Sequence, residues 1–336
     1  MGVKRLITVI VGGFFGDEGK GKVAAYIGIK ENYTLAIRTG AINAGHTVFY
    51  NGREYKFRAL PCASLKKDVE VLIAPGALIR LDVFFKEIEM IGRHSGIYVD
   101  KNTGIITEEH VRREEADENL TKRIGSTKQG VGAAMADRVL RRLKLASEYE
   151  ELKEFIVDGL EIIEKHMSSG KILIEGTQGT FLSLYHGTYP YVTSRDVTAS
   201  GILSEAGIGP KYVDEIVLVF KAFVTRVGAG PLEGELPPKE AKRMGIVEYG
   251  TVTGRPRRVA PFNFNYARRA IKLNSPTVLA ITKIDALYKE AYGVKRWEDL
   301  PKEAREFIEN IEDELKVPVK YIGTGPEMDH MVVREL

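Results

Sequence analysis

Short unbroken apolar runs, each followed by a polar stretch rich in glycine, set the pattern of this chain. Residues 6–11 (LITVIV) have the character of a strand covered on both faces. A glycine-rich loop follows over 12–21, and helical spacing begins near Lys20. Residues 33–38 read as a second strand. Residues 47–57 read as a hairpin turning at Asn51-Gly52, a dipeptide suited to the positive φ angles of a tight turn. Residues 71–74 form a third buried run, and helical patterns are predicted over 78–91, 107–122 and 135–166. Residues 171–175 (KILIE) are a further strand, followed by a long polar stretch to Ser200. The strongly apolar segment 216–227 predicts one long strand; 278–281 and 319–322 predict two more, with a helix over 302–315 between them. Strands alternating with helices imply an α/β fold with a mainly parallel central sheet flanked by helices. No repeat, low-complexity tract or Pro/Ser-rich linker breaks the series, so 1–336 is expected to be a single elaborated domain.

Composition narrows the class without naming a function. Lysine and arginine exceed aspartate and glutamate by only 3, and hydrophobic residues make up 44%. This is ordinary for a folded globular chain and offers no electrostatic footprint for nucleic acid. The apolar runs fall far short of the ~20 residues that a membrane span needs. Lys4 and Arg5 precede an apolar run broken at Gly12 and Gly13, which does not read as a signal peptide. One cysteine, Cys62, excludes an internal disulfide and a Cys-rich zinc site, and a cytoplasmic location is expected. Glycine is the outlier: 34 of 336 residues, concentrated where loops must approach a ligand closely.

Five segments carry candidate chemistry. GDEGKGK (16–22) sits between a strand and a helix and matches G-x4-G-K at Gly16, Gly21 and Lys22, but Val23 stands where a P-loop has its metal-binding hydroxyl. The backbone amides, the helix N-terminus and Lys20 and Lys22 still suit phosphate, and Asp17 can supply the hard oxygen ligand. This is a P-loop-like nucleotide-binding arrangement. TKID (282–285) ends an apolar strand. Guanine presents adjacent N–H and NH₂ donors that the Asp285 carboxylate can accept, while the stem of Lys283 packs over the base. In NAGHT (43–47), His46 is a candidate general acid or a structural donor. EGTQGT (175–180) and HGTYPYVTS (186–194) offer neutral donors from Gln178, Thr180 and Thr193. TGRPRR (253–258) places three arginines in four residues, able to clamp carboxylates or phosphates or simply to form a solvated basic loop.

Taken in their order along the chain, together with IGSTKQGVG (124–132), TRVGAGP (225–231) and TGP (324–326), these segments resemble the adenylosuccinate synthetase family over almost the whole chain. The resemblance implies GTP-dependent ligation of IMP and L-aspartate through a 6-phosphoryl intermediate, in AMP synthesis. It implies catalytic roles for Asp17, His46 and Gln178, and IMP binding by Asp17, Asn43, Thr127, Gln178, Thr193 and Arg255. Arg141 is implied to reach the IMP phosphate from a partner subunit, hence a homodimer. Aspartate is assigned to Thr253, Arg255 and Arg257. GTP is assigned to Gly16, Glu18, Gly19, Lys20, Gly21, Lys22, Gly45, His46, Thr47, Lys283, Asp285, Gly323 and Gly325, and Mg²⁺ to Asp17 and the carbonyl of Gly45. The chain departs from the family in being shorter between Ile124 and Lys171 and between Asp285 and Thr324. It also carries Val252, Pro256 and Gly323 where Thr, Arg and Ser are common. The alternative is a regulatory GTP switch. Such proteins sense the γ-phosphate with D-x-x-G, and no aspartate here is followed by glycine at that position.

Overall fold

The computed structural model describes residues 6–248 and 257–335. Ten strands form one sheet, in the spatial order Met331–Val333, Val319–Gly323, Val278–Thr282, Glu215–Lys221, Leu6–Gly12, Lys171–Glu175, Leu35–Arg38, Glu70–Ile73, Ile97–Asp100 and Ile156–Val157. Every pairing is parallel except that of the edge strand Met331–Val333. Parallel strands need crossovers on the sheet faces, so both faces are covered and the runs are largely apolar, with charged residues mostly at their ends. In Leu6–Gly12, Ile7, Val9 and Val11 enter one core, with the helices Ala199–Ala206, Phe264–Asn274 and Lys302–Leu315. Ile10 enters the other, beneath the helix Lys20–Lys30.

Several predicted elements are divided. Residues 216–227 are not one strand: Glu215–Lys221 belongs to the large sheet, and Phe223–Arg226 leaves it to pair antiparallel with Arg258–Pro261. Both halves are buried, so apolar character alone cannot reveal the change of sheet. The pattern over 135–166 resolves into a helix Val131–Val139, two short 3-10 turns, the strand Ile156–Val157 and a helix Gly159–Ser169. Likewise Leu78–Ile79 pairs with Gly104–Ile105, and the helix starts only at Leu81. The hairpin forms as expected between His46–Tyr50 and Arg53–Phe57, with φ of 52° and 73° at Asn51 and Gly52. No helix among the described residues is long and apolar enough to cross a membrane.

From the central strand Leu6–Gly12, the chain crosses by the helix Lys20–Lys30 to Leu35–Arg38 on one side; the strand on its other side is Glu215–Lys221. The order therefore reverses beside Leu6–Gly12. In such sheets the crevice at the carboxyl ends of the strands, at the reversal, is where ligands bind.

Candidate active site

Those carboxyl ends, and the loops that leave them, surround a cleft of about 840 Å³. The floor is the turn after Gly12. Gly13 has no room for a side chain, since a Cβ there would lie 2.1 Å from the Phe220 ring. Glu18 holds the turn from within. It is buried, its Oε1 accepts from the amides of Phe14 (3.0 Å) and Gly16 (2.8 Å), and its Oε2 meets Lys20 Nζ at 2.7 Å. Thr282 Oγ1 donates to the Glu18 carbonyl at 2.6 Å, tying the loop to the strand that ends in TKID. Asp17 adopts φ 61° and lines the cleft with Gly16, Gly19, Lys20, Gly21 and Lys22. The helix thus begins at the cleft, its positive end toward any bound phosphate.

Lys22 looks elsewhere. Its Nζ donates to the carbonyls of Gly325 and His330, each at 2.6 Å, so it fastens the 323–330 loop to the helix start. Burial pushes its pKa down to about 7, although Asp285 opposes the shift. The Asp285 Oδ1 atom is buried with no hydrogen-bond partner, a costly state for a carboxylate unless a ligand donates to it.

On the far wall, His46 opens its hairpin strand and packs so closely against the helix that a Cβ on Gly21 would lie 2.6 Å from its own. Its Nδ1 lies 2.5 Å from Glu175 Oε1 and 2.8 Å from Arg38 Nη1. Burial, helped by Arg38, pushes the imidazole down to about 4 against the pull of Glu175. Burial alone would raise the Glu175 carboxyl, but its hydrogen bond from His46 and the Arg38 charge bring it below its ordinary value. The pair is therefore a carboxylate and a neutral imidazole.

A second charged chain lies opposite. Lys221 Nζ, buried, meets Glu248 Oε2 at 2.7 Å; Glu248 also holds Arg257 Nη1; and Arg257 Nε lies 2.9 Å from Asp17 Oδ2. Burial would raise Glu248, yet Lys221, Lys283 and Arg257 together hold it at about 2. Arg257 Nε is buried beside Asp17 without an aligned hydrogen bond, so the place next to this carboxylate already carries a cation. The Asp17 carboxylate and the Gly45 carbonyl are hard oxygen donors of the kind that suits Mg²⁺, and both residues line the cleft. The His46–Cys62–Glu175 triangle is different. Arg38 fills its charge requirement, and burial holds the Cys62 thiol well above its ordinary pKa, as a protonated group.

Asn43, Thr47, Thr127, Gln178, Thr193, Lys283 and Gly325 also line the cleft. Glu18 lies beneath it, and Gly323 ends its strand against Thr282. Asp285 is in the short helix Ile284–Leu287, and Arg141 is exposed beyond the helix Val131–Val139, away from the cleft wall of its own chain. Thr253 and Arg255, with Val252 and Pro256, lie outside the described residues. Sequence reasoning missed Arg38, Glu175, Lys221 and Glu248. A signal was present for two: Arg38 and Glu175 are charged residues ending apolar strands that face glycine-rich loops.

A family model described as adenylosuccinate synthetase matches residues 9–147, 142–292 and 287–332. The chain is 49% identical over 330 residues to the adenylosuccinate synthetase of Methanocaldococcus jannaschii, covering 97% of this chain and 96% of that protein. It is 45% identical over 327 residues to that of Archaeoglobus fulgidus, covering 97% of each. Among solved structures, the fully ligated adenylosuccinate synthetase of Plasmodium falciparum superposes with a TM-score of 0.91 at 25% identity, over 98% of this chain and 99% of that one. The succinoaminodeoxyadenylate synthetase of cyanophage S-2L, bound to dGMP and dATP as an energy donor, gives 0.81 at 25% identity, over 99% and 97%. A nucleotide cleft at the strand reversal, and likeness along nearly the full length, lead to one conclusion: this chain belongs to the adenylosuccinate synthetase family.

Proposed function

We propose that the cleft joins IMP to L-aspartate, driven by GTP, to give adenylosuccinate, GDP and phosphate, with the cleft side chains acting as follows. Asp17 takes the proton from the purine nitrogen beside the 6-oxo group, and that oxygen attacks the γ-phosphorus while GDP leaves. His46 hydrogen-bonds the transferring phosphoryl group through the nitrogen turned away from Glu175. Gln178 steadies charge on the resulting 6-phosphoryl nucleotide, and the aspartate amine then displaces phosphate. Little covalent work falls to the protein; positioning and charge stabilisation carry such transfers. Mg²⁺, held by Asp17 and the Gly45 carbonyl, supplies neutralisation of charge on the phosphate oxygens.

IMP is assigned to Asn43, Thr127, Gln178, Thr193 and Arg255, and the carboxylates of aspartate to Thr253, Arg255 and Arg257. The glycines of the first loop and Lys20 meet the phosphates. Glu18 shapes that loop and Lys22 anchors the loop of Gly323 and Gly325, both acting from behind the nucleotide. Lys283 and Asp285 read the base. The cyanophage relative takes dATP, so the fold admits more than one donor; the unpartnered Asp285 oxygen favours guanine here. Arg141 serves the cleft of a second copy in a homodimer. In support, it adjoins the exposed apolar residues Val139 (67%) and Leu140 (54%). Residues 1–336 act as one domain, in support of which the cleft draws on segments from Phe15 to Pro326, and the location assigned is the cytoplasm.

The observation that carries this reading is the meeting of Asp17, His46 and Gln178, from three separate strand ends, on one cleft. Phosphate release from GTP tests it: release should require IMP and aspartate together. Release that continues unchanged without either would mark a GTP switch or hydrolase instead.

A further inference from the structure

The group behind His46 is more elaborate than a chance ion pair. Glu175 and Arg38 are register partners at the ends of adjacent parallel strands, which sets both side chains under the histidine ring. Glu175 is fully buried, and every neighbour it meets is a donor. Oε1 receives Arg38 Nη1 at 2.8 Å, His46 Nδ1 at 2.5 Å and Cys62 Sγ at 3.2 Å, and Oε2 receives the Cys62 amide at 2.7 Å. Gly21 packs against the base of the same side chain, where a Cβ would lie 2.6 Å from His46 Cβ and 3.2 Å from its Cγ. Nδ1 is committed to the carboxylate, so Nε2 is the nitrogen left to the cleft.

We infer that Glu175 is the positioning residue of His46, fixing its tautomer and its orientation toward the transferring phosphoryl group. The inference rests on the assignment of His46 above. Burying a carboxylate is costly unless its partners compensate, and a purely structural carboxylate has no need to meet the one histidine of the cleft at its shortest contact. The logic is that of a buried acid orienting a catalytic imidazole, in which the acid holds the ring without touching substrate. Glutamine cannot replace it. An amide has one acceptor oxygen and one donor nitrogen, so its NH₂ must face either the Cys62 amide or the His46–Arg38 pair, donor against donor.

Four proteins decide the matter: Glu175→Gln, Glu175→Asp, His46→Ala and the Glu175→Gln/His46→Ala double variant. Each is measured for kcat, for the KM of GTP and IMP, and for GTP binding. Glu175→Gln is expected to lower kcat about 100-fold or more, the scale of a lost general acid, with KM values and GTP affinity within about threefold of wild type. Glu175→Asp keeps both acceptors and the charge, and should recover at least about a tenth of the wild-type kcat. In the His46→Ala background, Glu175→Gln should have no further effect, because it acts through that ring. Near-normal kcat in Glu175→Gln while His46→Ala is crippled overturns the inference. So do additive losses in the double variant, or a Glu175→Gln protein that fails to fold or bind GTP while Glu175→Asp shows no recovery. Near-normal turnover by His46→Ala would overturn the assignment of His46 itself, a separate outcome.

Discussion

Replacing Asp285 by asparagine should erase much of the preference for guanine. The carboxylate offers two acceptor oxygens, and its Oδ1 is buried with no partner from the protein. Guanine fills both through N1–H and the 2-amino group; hypoxanthine, lacking the amino group, fills one. Asparagine keeps one acceptor and turns an NH₂ toward the remaining guanine donor, so GTP loses its extra bond and ITP does not. A hydrogen bond to a charged group contributes about 1.5–3 kcal/mol, and about 1.4 kcal/mol is tenfold in an equilibrium constant. The ratio of kcat/KM for GTP over ITP should therefore fall about 10- to 150-fold. The assay is adenylosuccinate formation at saturating IMP and aspartate with each triphosphate varied, accompanied by the Tm shift each produces. A GTP/ITP ratio unchanged in the variant would remove Asp285 from base recognition.

Other expectations follow from the same geometry. Glu248 has a folded pKa of about 2 against an ordinary 4.5, so its stabilisation is complete above pH 4.5 and is lost as pH falls toward 2. The shift corresponds to about 3 kcal/mol at most. Urea midpoints measured from pH 6 down to 3 should fall more steeply for wild type than for Glu248→Gln; parallel slopes would refute the assignment. Gly13→Ala should lower Tm and weaken GTP binding, because the new methyl meets the Phe220 ring at 2.1 Å and overpacking costs roughly 1–3 kcal/mol. An unchanged melt would show that the turn can yield. Chelation of divalent cations should abolish turnover while leaving IMP binding measurable by calorimetry; turnover at full rate in excess chelator would exclude the Asp17–Gly45 metal position.

The sheet was legible because each of its long strands is a continuous apolar run, the mark of burial on two faces. The Asn51-Gly52 hairpin was legible because few residues accept its positive φ angles. Segment 216–227 misled for the same reason that it was conspicuous: both halves are buried, and a strand that changes sheets at Ala222 keeps its apolar pattern. Asp17, His46 and Gln178 could be picked out because each sits in a glycine-rich motif next to a strand end. What could not be read was the direction of side chains within those motifs. Glu18 and Lys22 stand among the phosphate-facing residues of the first loop, but one turns inward to hold the loop and the other reaches across to Gly325 and His330. Glu175 and Arg38 escaped notice because their meaning lies in a pairing 137 residues apart, which exists only when their two strands are side by side.

Asp17→Asn is the most direct test, since the substitution keeps the size of the side chain and removes its capacity to take a proton or serve as a strong metal ligand. Adenylosuccinate formation and phosphate release would be followed in parallel, with IMP binding and thermal melting as checks on the fold. The variant should bind IMP and melt near the wild-type temperature, yet lose both products by about 100-fold or more. A folded Asp17→Asn protein making adenylosuccinate at close to the wild-type rate would contradict this role for Asp17.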